Sequence, residues 1–402
     1  MERIAPINEA EAAEAVRGAA EKGVSFEIVS GRTKRGLGRA AESDALLDMI
    51  ALTGILNYEP DELILTARAA TPVAEITAAL AGRKQILAFE PADWGPLYRA
   101  RAGGATLAGV AAANASGARR VKAGAVRDHL IGCRFVNGLG ETIRCGGRVV
   151  KNVSGFDISK LMCGAFGTLG VITEMTLRVV PAPPRAPALA FTDCPPEIGL
   201  SLLRQAARLP LEPTGLAYLS AAACTASRTA SAANLSRSNG VALIRVEGAG
   251  DPVIDKIARL RAAFAKLDAT LLEDEAAAAL FREIGDGTPF LAQDSDIWRL
   301  FVPPSDAYAA ATESEAQFWY ADWGGGALWL ALPASRAVSE RLAKITAKTR
   351  GHAVLMRAGA EARALLPVFQ PEPPARAALS RAVKAAFDPH RLFNPFRMFE
   401  EW

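Results

Sequence analysis

The sequence predicts an α+β protein that folds as two or three compact units. A chain of 402 residues is longer than one ordinary hydrophobic core supports. After residue 188, short runs with strand periodicity alternate with runs of helical periodicity. Glycine is concentrated in three earlier segments, residues 30–38, 103–117 and 151–172. These observations predict a glycine-lined site in the first part of the chain and a mixed helix and sheet domain after it.

The longest glycine-rich segment, KNVSGFDISKLMCGAFGTLGVI from Lys151 to Ile172, is the one around which the chain is organised. A lone Gly-x-x-Gly would favour tight turns between strands. Three such segments within about 150 residues favour one extended site, where the backbone comes close to a large, flat ligand that a Cβ would obstruct.

The first glycine-rich segment follows a predicted strand, Ser25 to Val29. Successive backbone N–H groups of the turn Ser30-Gly31-Arg32-Thr33-Lys34 can point at one anion, and Arg35 adds positive charge. Taken alone, a solvated surface loop is the simpler interpretation of these cations. The spacing is not G-x-G-x-x-G and no helical run follows Gly38, so a nicotinamide dinucleotide site is not expected.

The glycine-rich segments resemble the FAD-binding domain of the vanillyl-alcohol oxidase/PCMH flavoprotein superfamily. The closest resemblance is to the FAD-binding subunits of bacterial glycolate oxidase. It rests on these residues: Lys151-Asn152-Val153-x-Gly155-x-Asp157, Lys160-Leu161, Gly167-Thr168-Leu169-Gly170, Phe387-Asp388-Pro389 and Phe393-Asn394-Pro395. It is strong over residues 1–181 and the last 20 residues, and weak between them.

The resemblance implies a domain organisation. A PCMH-type FAD-binding domain of two α/β subdomains, about 1–56 and 57–181, would be followed by an α+β cap domain with an antiparallel sheet at 188–370. A C-terminal segment, 375–402, would return to the FAD domain. Phe396 stands where relatives commonly have Gly.

The resemblance also implies a noncovalent FAD, because Arg32-Thr33-Lys34 replaces the His or Cys that links flavin in some relatives. It implies no metal and leaves the catalytic residues unknown. The implied FAD-binding residues are Ser30, Gly31, Arg32, Thr33, Lys34, Gly103, Gly104, Thr106, Gly109, Asn114, Ser116, Gly117, Asp128, Lys151, Asn152, Gly155, Asp157, Gly164, Gly167, Gly170, Val171, Ile172 and Asn394.

The implied function is that of an FAD-binding subunit in a glycolate oxidase complex, which oxidises glycolate or a related 2-hydroxy acid to the 2-oxo acid. Related dehydrogenases carry a His-x-Gly-Asp-Gly-Asn type motif, whereas this chain has Ala321-Asp322-Trp323-Gly324-Gly325-Gly326. We therefore expect a companion FAD-containing hydroxy-acid-oxidising subunit and an iron–sulfur subunit. Two alternatives stay open: an assembly or electron-transfer subunit without substrate chemistry, and a stand-alone flavin dehydrogenase for another hydroxy acid or alcohol.

Composition excludes other classes of function. The 46 basic and 43 acidic residues give a net charge of only +3, which does not indicate a nucleic-acid binder. The five cysteines show no C-x-x-C spacing, so free thiols are expected and a cluster or zinc site is not. The acidic N-terminus and the lack of a long apolar run predict a soluble, cytoplasmic protein that contacts a membrane only through a partner.

Local patterns predict individual elements. Asn8 and Glu11 form a capping-box signature for a helix that ends near Gly23. Two strands, Leu46 to Leu56 and Asp61 to Ala69, are expected around a turn at residues 57–60, and Thr71 and Thr106 are expected to cap helices.

Further along the chain, Asn137-Gly138 predicts a hairpin between the strands Leu130 to Val136 and Glu141 to Cys145. The small, polar segment Ala221 to Gly240 is expected to be a mobile loop. The basic residues Arg119, Arg120, Lys122 and Arg127 most simply form a solvated face, but an acidic partner or a substrate carboxylate is an alternative. This basic segment and the aromatic segment Phe318 to Trp329 are the expected exposed contacts for partners.

Overall fold

The computed structural model of the protein describes residues 2–40, 42–147, 157–235 and 237–401. The chain divides into two compact units. The first unit comprises Met1–Ala115, Gly124–Ala182 and Pro367–Trp402, and the second comprises Ser116–Ala123 and Pro183–Leu366. No helix among the described residues combines the length and apolar character that a membrane span requires.

The first unit contains ten described strands and six described α-helices. The strands are β1 (Glu2–Ile4), β2 (Phe26–Val29), β3 (Ala45–Asp48), β4 (Ile55–Glu59), β5 (Ile64–Arg68), β6 (Gln85–Ile86), β7 (Leu130–Val136), β8 (Thr142–Gly146), β9 (Val171–Arg178) and β10 (Val180–Pro181). The helices are Glu9–Lys22, Val73–Ala81, Leu107–Ala112, Val126–His129, Ile158–Met162 and Pro374–Phe387, with a 3₁₀ turn at Pro96–Tyr98.

The strands of the first unit form three sheets. A parallel sheet has the order β1-β3-β2, and an antiparallel sheet has the order β4-β5-β9-β7-β8. Strands β10 and β6 form a short antiparallel pair. The helix Glu9–Lys22 buries Ala12, Val16 and Ala19, one face at helical spacing, in a core with Phe26 and Phe393. This core therefore joins the beginning of the chain to its C-terminal segment.

The N-terminal helix forms as its sequence predicts. The Asn8 side chain accepts a hydrogen bond from the Glu11 N–H at 2.9 Å, and Gly23 ends the helix with φ +67°. The Asn8 side chain and the Gly23 backbone form hydrogen bonds with backbone N–H and C=O groups at the two ends of the helix, which otherwise lack partners within the helix. Both boundary predictions are confirmed.

The predicted strand Leu46 to Leu56 is wrong. Strand β3 ends at Asp48, whose buried carboxylate accepts hydrogen bonds from Arg3 and Arg32, and β4 begins only at Ile55 after Gly54 with φ +112°. Residues 57–59 belong to β4, so the turn lies at residues 60–63. Thr71 does not cap a helix, because its hydroxyl donates to the carbonyl oxygens of Gly54 and Arg68.

The predicted hairpin is present, with a longer loop than Asn137-Gly138 alone would give. The Asn137 N–H donates to the Glu141 carbonyl at 3.0 Å, and Gly140 between them has φ +72°. A three-residue loop that ends in a left-handed glycine is a common hairpin connection. This loop sets the register of β7 and β8, so that residues from Gly132 to Val136 pair one to one with residues from Gly146 to Thr142.

The second unit is built on one eight-stranded antiparallel sheet of order β14-β11-β13-β12-β16-β17-β15-β18. Its strands are β11 (Ala188–Cys194), β12 (Gly215–Leu219), β13 (Gly240–Arg245), β14 (Ala269–Leu272), β15 (Ile297–Phe301), β16 (Trp319–Asp322), β17 (Ala327–Ala331) and β18 (His352–Arg357). Its helices are Arg120–Ala123, Pro196–Arg208, Ala221–Ala226, Arg228–Ala232, Gly250–Ala263, Asp274–Asp286, Ala307–Ser314, Arg336–Thr349 and Ala360–Leu365, with 3₁₀ turns at Thr288–Ala292 and Trp323–Gly325.

The segment predicted as a loop, Ala221 to Gly240, contains two of these helices. The hydroxyls of Ser220 and Ser227 accept hydrogen bonds from the N–H groups of Ala223 and Ala230 and so cap them. These two serines serve as helix caps and not as loop residues, and the loop prediction is wrong for this part.

Three residues of the basic segment, Arg119, Arg120 and Lys122, make contacts within the second unit. Arg119 forms an ion pair with Glu247, with only 11% and 10% of the two side chains exposed, and Lys122 pairs with Glu212. The Arg120 guanidinium lies 4.3 Å from the centre of the Trp323 ring. A solvated face is therefore the wrong description of Arg119.

The aromatic segment Phe318 to Trp329 is also mostly inside this unit. Trp319, Tyr320 and Trp329 are buried against the sheet. Their large apolar areas stabilise the second unit, and the prediction that they are exposed for a partner is wrong.

Candidate functional site

A cleft of about 850 Å³, including the solvent at its mouth, lies in the first unit. Its walls come from the loop after β2, from the helix Leu107–Ala112, from the glycine-rich loop before β9 and from the C-terminal segment. Four segments that are far apart in sequence therefore form one site.

The loop after β2 forms the polar end of the cleft. Arg32 has φ +55°, which turns the backbone after Gly31. Among the described residues, no carbonyl or side chain accepts the backbone N–H groups of Gly31, Arg32 or Thr33. Consecutive N–H groups in such a turn form a concave anion-binding nest.

The cations around this nest are held in place by other groups. Arg32 donates to the buried carboxylate of Asp48 at 2.7 Å, and Arg35 donates to Glu27. Arg397, from the C-terminal segment, donates to the Lys34 carbonyl oxygen at 2.9 Å. The arginines thus fix the loop that carries the nest.

The glycines of the site allow protein segments to touch each other. A Cβ on Gly31 would overlap the carbonyl oxygen of Gly104, so these two loops meet backbone to backbone. A Cβ on Gly167, which has φ +69°, would lie 2.6 Å from the Asn394 amide nitrogen. The sequence argument assigned such glycines to the ligand, whereas here they first bring the walls of the cleft together.

The helix Leu107–Ala112 presents a thin surface to the cleft. Ala108, Gly109 and Ala112 line it, so little side-chain volume separates the helix backbone from a ligand. Thr106 was predicted to cap this helix, but its hydroxyl instead lies 2.7 Å from the Ser30 hydroxyl and makes no cap bond. This contact joins the helix to the nest loop.

Asn394 connects the C-terminal segment to two other walls. Its carbonyl oxygen accepts from the Ile28 N–H at 2.9 Å, and its amide nitrogen donates to the Phe166 carbonyl at 2.8 Å. Its own N–H donates to Phe26. Each polar group of the side chain has a protein partner, so Asn394 lines the cleft mainly as a positioning residue.

A buried ion pair holds the C-terminal segment in place. Lys384 donates to the Asp388 carboxylate at 2.6 Å and to the Thr168 carbonyl at 2.7 Å, and both side chains are almost fully buried. Asp388 also accepts from the N–H groups of Leu392 and Phe393. Burial lowers the pKa of Lys384, and the nearby Asp388 charge opposes this shift only in part.

The structure places many of the predicted FAD-binding residues in the cleft wall. They are Ser30, Gly31, Arg32, Thr33, Lys34, Thr106, Gly109, Gly167, Gly170, Ile172 and Asn394. The following described residues do not line it: Gly103, Gly104, Asn114, Ser116, Gly117, Asp128, Asp157, Gly164 and Val171. Lys151, Asn152 and Gly155 lie outside the described residues.

Two of the residues outside the cleft wall have clear roles of their own, and a third belongs to the second unit. Gly117 belongs to the second unit, where its carbonyl accepts from the Trp323 indole N–H at 3.1 Å. Ser116 belongs to the same unit. The Asp128 carboxylate accepts from the Ala125 N–H at 2.7 Å and caps the helix Val126–His129.

Sequence reasoning missed several residues of the cleft wall. Among them are Phe166, Ala108, Ala112 and Arg397. Arg397 follows Asn394 by three residues, so the tail motif could have indicated it. Alanines on a short helix give no such signal.

The chemistry of the cleft fits a flavin dinucleotide. The nest and Arg397 offer N–H donors and positive charge to a diphosphate, while the alanine and glycine surface leaves room for flat or extended groups. Among the described residues, no group of three or more His, Cys, Asp or Glu side chains is placed to hold a metal. These features define the protein as a dinucleotide-binding flavoprotein.

Comparison with known proteins identifies the family within this class. The family model described as "FAD binding domain" matches residues 3–146. The glycolate oxidase subunit GlcE of Escherichia coli K12 is 32% identical over 377 residues, which cover 93% of this chain and 92% of that protein. The chain therefore belongs to the GlcE family of glycolate oxidase subunits. It is an FAD-dependent oxidoreductase.

A second relative shares part of this sequence, and a solved structure shares the fold. The glycolate oxidase subunit GlcD of Bacillus subtilis is 41% identical over 78 residues, 19% of this chain and 17% of that protein. The crystal structure of p-cresol methylhydroxylase with substrate bound aligns over 98% of this chain and 88% of that one, with a TM-score of 0.74 and 12% identity. That likeness confirms the α+β, PCMH-type fold.

Proposed function

We propose that this chain is the FAD-binding subunit of a complex that oxidises glycolate, or a related 2-hydroxy acid, to the 2-oxo acid and passes the electrons on. The observation that carries the proposal is the nest and small-residue cleft in a chain that matches a GlcE subunit over nearly the full length of both proteins. The choice of glycolate as substrate rests on the name of that relative, whereas the cleft supports FAD as the cofactor.

The residues that would hold FAD follow from the cleft. The N–H groups of Gly31, Arg32 and Thr33, together with Arg397, would bind the diphosphate, and the face of Ala108, Gly109 and Ala112 would lie against the cofactor. FAD supplies the acceptor for the hydride that leaves the hydroxy-acid carbon. No described histidine or cysteine lines the cleft, which supports a noncovalent cofactor.

Substrate oxidation belongs, in this proposal, to the complex. Two of the arginines in the cleft already form ion pairs, Arg32 with Asp48 and Arg35 with Glu27. Their positive charges are therefore neutralised within the protein and are not available to bind a substrate carboxylate. The companions are an FAD-containing hydroxy-acid-oxidising subunit and an iron–sulfur subunit. The names of the two relatives, glycolate oxidase subunits GlcE and GlcD, support a multi-subunit assembly.

The same arginine pairing favours a second candidate function. In that function the FAD of this chain stabilises the complex and is not reduced when the substrate is oxidised. The two functions differ in one measurable property, the reduction of this chain's own flavin by substrate when its partners are present.

The test is visible absorption of the purified chain and of the chain co-expressed with its companions, recorded before and after anaerobic addition of glycolate. Acid precipitation should first release yellow flavin from the isolated chain. In the complex, bleaching of the flavin bands in proportion to two flavins would support the proposal, and bleaching of only the companion's flavin would support the second function. Full-rate glycolate turnover by the isolated chain would refute both and establish a stand-alone dehydrogenase.

A further inference from the structure

Two cysteines that are twelve residues apart face each other on adjacent strands of the first unit. Cys133 on β7 pairs directly with Cys145 on β8, and their sulfur atoms are 3.1 Å apart. Directly opposed residues of an antiparallel pair point to the same face of the sheet. The hairpin loop at Gly138–Gly140 sets this register, so the two thiols are held together by the backbone.

The pair lies where small molecules can reach it. Among the described residues, strand β8 is at the edge of the five-stranded sheet, and the cysteines line a small polar cleft that also includes Arg134, Arg144 and Glu174. Cys133 is only 3% exposed, whereas Cys145 is half-buried. Cys145 is therefore the sulfur that a solute meets first.

The other thiols of the chain are different. Burial raises the pKa of Cys163 to about 12, and burial raises the pKa of both Cys194 and Cys224 to about 11. The hydrogen bond from Cys133 instead lowers the pKa of Cys145, against the effect of burial. Because thiolates are the reactive form, the accessible member of the pair is also the better nucleophile.

We propose that Cys133 and Cys145 form a redox modification site, a cross-strand dithiol that a hydroperoxide oxidises to an intramolecular disulfide. This site is separate from the cleft and does not depend on the proposed function. Neither cysteine lines that cleft.

The reaction balances with hydrogen peroxide as the oxidant. The Cys145 thiolate attacks one peroxide oxygen, the O–O bond breaks, and the released hydroxide takes up a proton to give water. The resulting sulfenic acid is then attacked by the Cys133 sulfur, an S–S bond forms, the S–O bond breaks, and the leaving hydroxide accepts the Cys133 proton. Two thiols and one peroxide thus give a disulfide and two waters, and the two electrons pass from sulfur to peroxide.

The test uses the full chain with its flavin, fully reduced and then exposed to limiting hydrogen peroxide. Alkylation in denaturant should label all five cysteines before oxidation and three afterwards, five minus the two in the disulfide. Trypsin cleaves after Arg127, Arg134 and Arg144, so the two cysteines fall on different peptides, and a linked pair that dithiothreitol separates identifies the bond.

Native alkylation and two variants test the assignment. In the native protein, iodoacetamide should modify Cys145 on the order of tenfold faster than Cys163. Cys133→Ser should abolish the linked peptide and leave a Cys145 sulfenic acid that dimedone traps, while the matched Cys163→Ser variant should still form the bond. Five labelled cysteines after oxidation, or a bond from Cys145 to Cys163, would overturn the proposal.

Discussion

The glycine cleft of the first unit and the arginine cluster of the second unit are built in opposite ways. In the cleft, the close contacts are made by glycine backbone: Gly31 lies against the Gly104 carbonyl oxygen, and Gly167 lies against the Asn394 side-chain amide. In the cluster, side chains meet side chains: Arg119 pairs with Glu247, and Arg120 stacks on Trp323. A glycine in the sequence indicates a place where the backbone lies close to another group. An arginine gives no such indication, because it can pair with carboxylates, carbonyl groups or aromatic rings anywhere in the fold.

The largest expected effect comes from the ion pair that holds the C-terminal segment against the cleft. Lys384→Ala should lower the free energy of unfolding by about 3–5 kcal/mol, because it leaves the Asp388 carboxylate buried without its cation. Urea unfolding measures the loss, and flavin occupancy should fall with it. Arg381→Ala on the same helix removes only an exposed pair with Glu401 and should change stability by about 0.5 kcal/mol or less. Equal effects of the two variants would show that the buried pair does not hold this segment.

A second prediction concerns the backbone contact between two walls. Gly31→Ala should weaken FAD binding at least about tenfold, because the new methyl group forces the nest loop away from the Gly104 carbonyl. Flavin fluorescence during titration of the apoprotein gives the dissociation constant.

The matched control for that variant is Gly18→Ala in the helix Glu9–Lys22. A Cβ there meets nothing within 4 Å, so this change should raise stability by about 0.5–1 kcal/mol without altering FAD affinity. Unchanged flavin binding in Gly31→Ala would contradict the contact that we describe.

The third prediction compares one arginine from each region. Arg397→Ala should raise the FAD dissociation constant about tenfold, through loss of a charge-assisted contact at the nest. Arg119→Ala should leave that constant unchanged and lower the stability of the protein by about 1–3 kcal/mol, because Glu247 loses one of its two mostly buried arginine partners. If Arg119→Ala weakened flavin binding as much as Arg397→Ala, the contrast between the two regions would fail.

The smallest expected effect is a change in acid stability. Burial acts to raise the pKa of Glu9, but hydrogen bonds from Arg134 and Thr173 outweigh it and hold the pKa below its ordinary 4.5. A carboxyl whose folded pKa is lowered stabilises the protein above about pH 4.5, and this stabilisation is lost as the pH falls through the folded value. Glu9→Gln should therefore cost about 1 kcal/mol at neutral pH and less at pH 3, as measured by thermal unfolding across that range. An identical cost at both pH values would contradict this assignment.

Sequence reasoning was most successful where a signal is local. The nest loop follows its strand directly, and the residue types at Asn8, Glu11 and Gly23 determine the ends of the first helix. It failed where partners lie far apart in sequence. Arg119 and Glu247 are separated by 128 residues, and a lysine such as Lys384 on an alanine-rich helix is normally solvated.

The cysteine pair lies between these cases. The spacing of Cys133 and Cys145 shows no motif, but once the hairpin loop is known, counting four residues outward from Asn137 and from Glu141 brings the two cysteines opposite each other. The pairing of the two cysteines could not be predicted without the loop length, because a two-residue turn would have given the strands a different register.

The bond from Asn394 to Ile28, across 366 residues, has a consequence for the order of events during synthesis. One wall of the cleft exists only after Asn394 and Arg397 have been translated, and these residues follow the whole of Pro183–Leu366. A ribosome must therefore make the whole second unit while the cleft of the first unit still lacks its last wall. We expect that the nascent chain cannot retain flavin until translation has passed Arg397, and that the second unit is free to fold before the cofactor arrives.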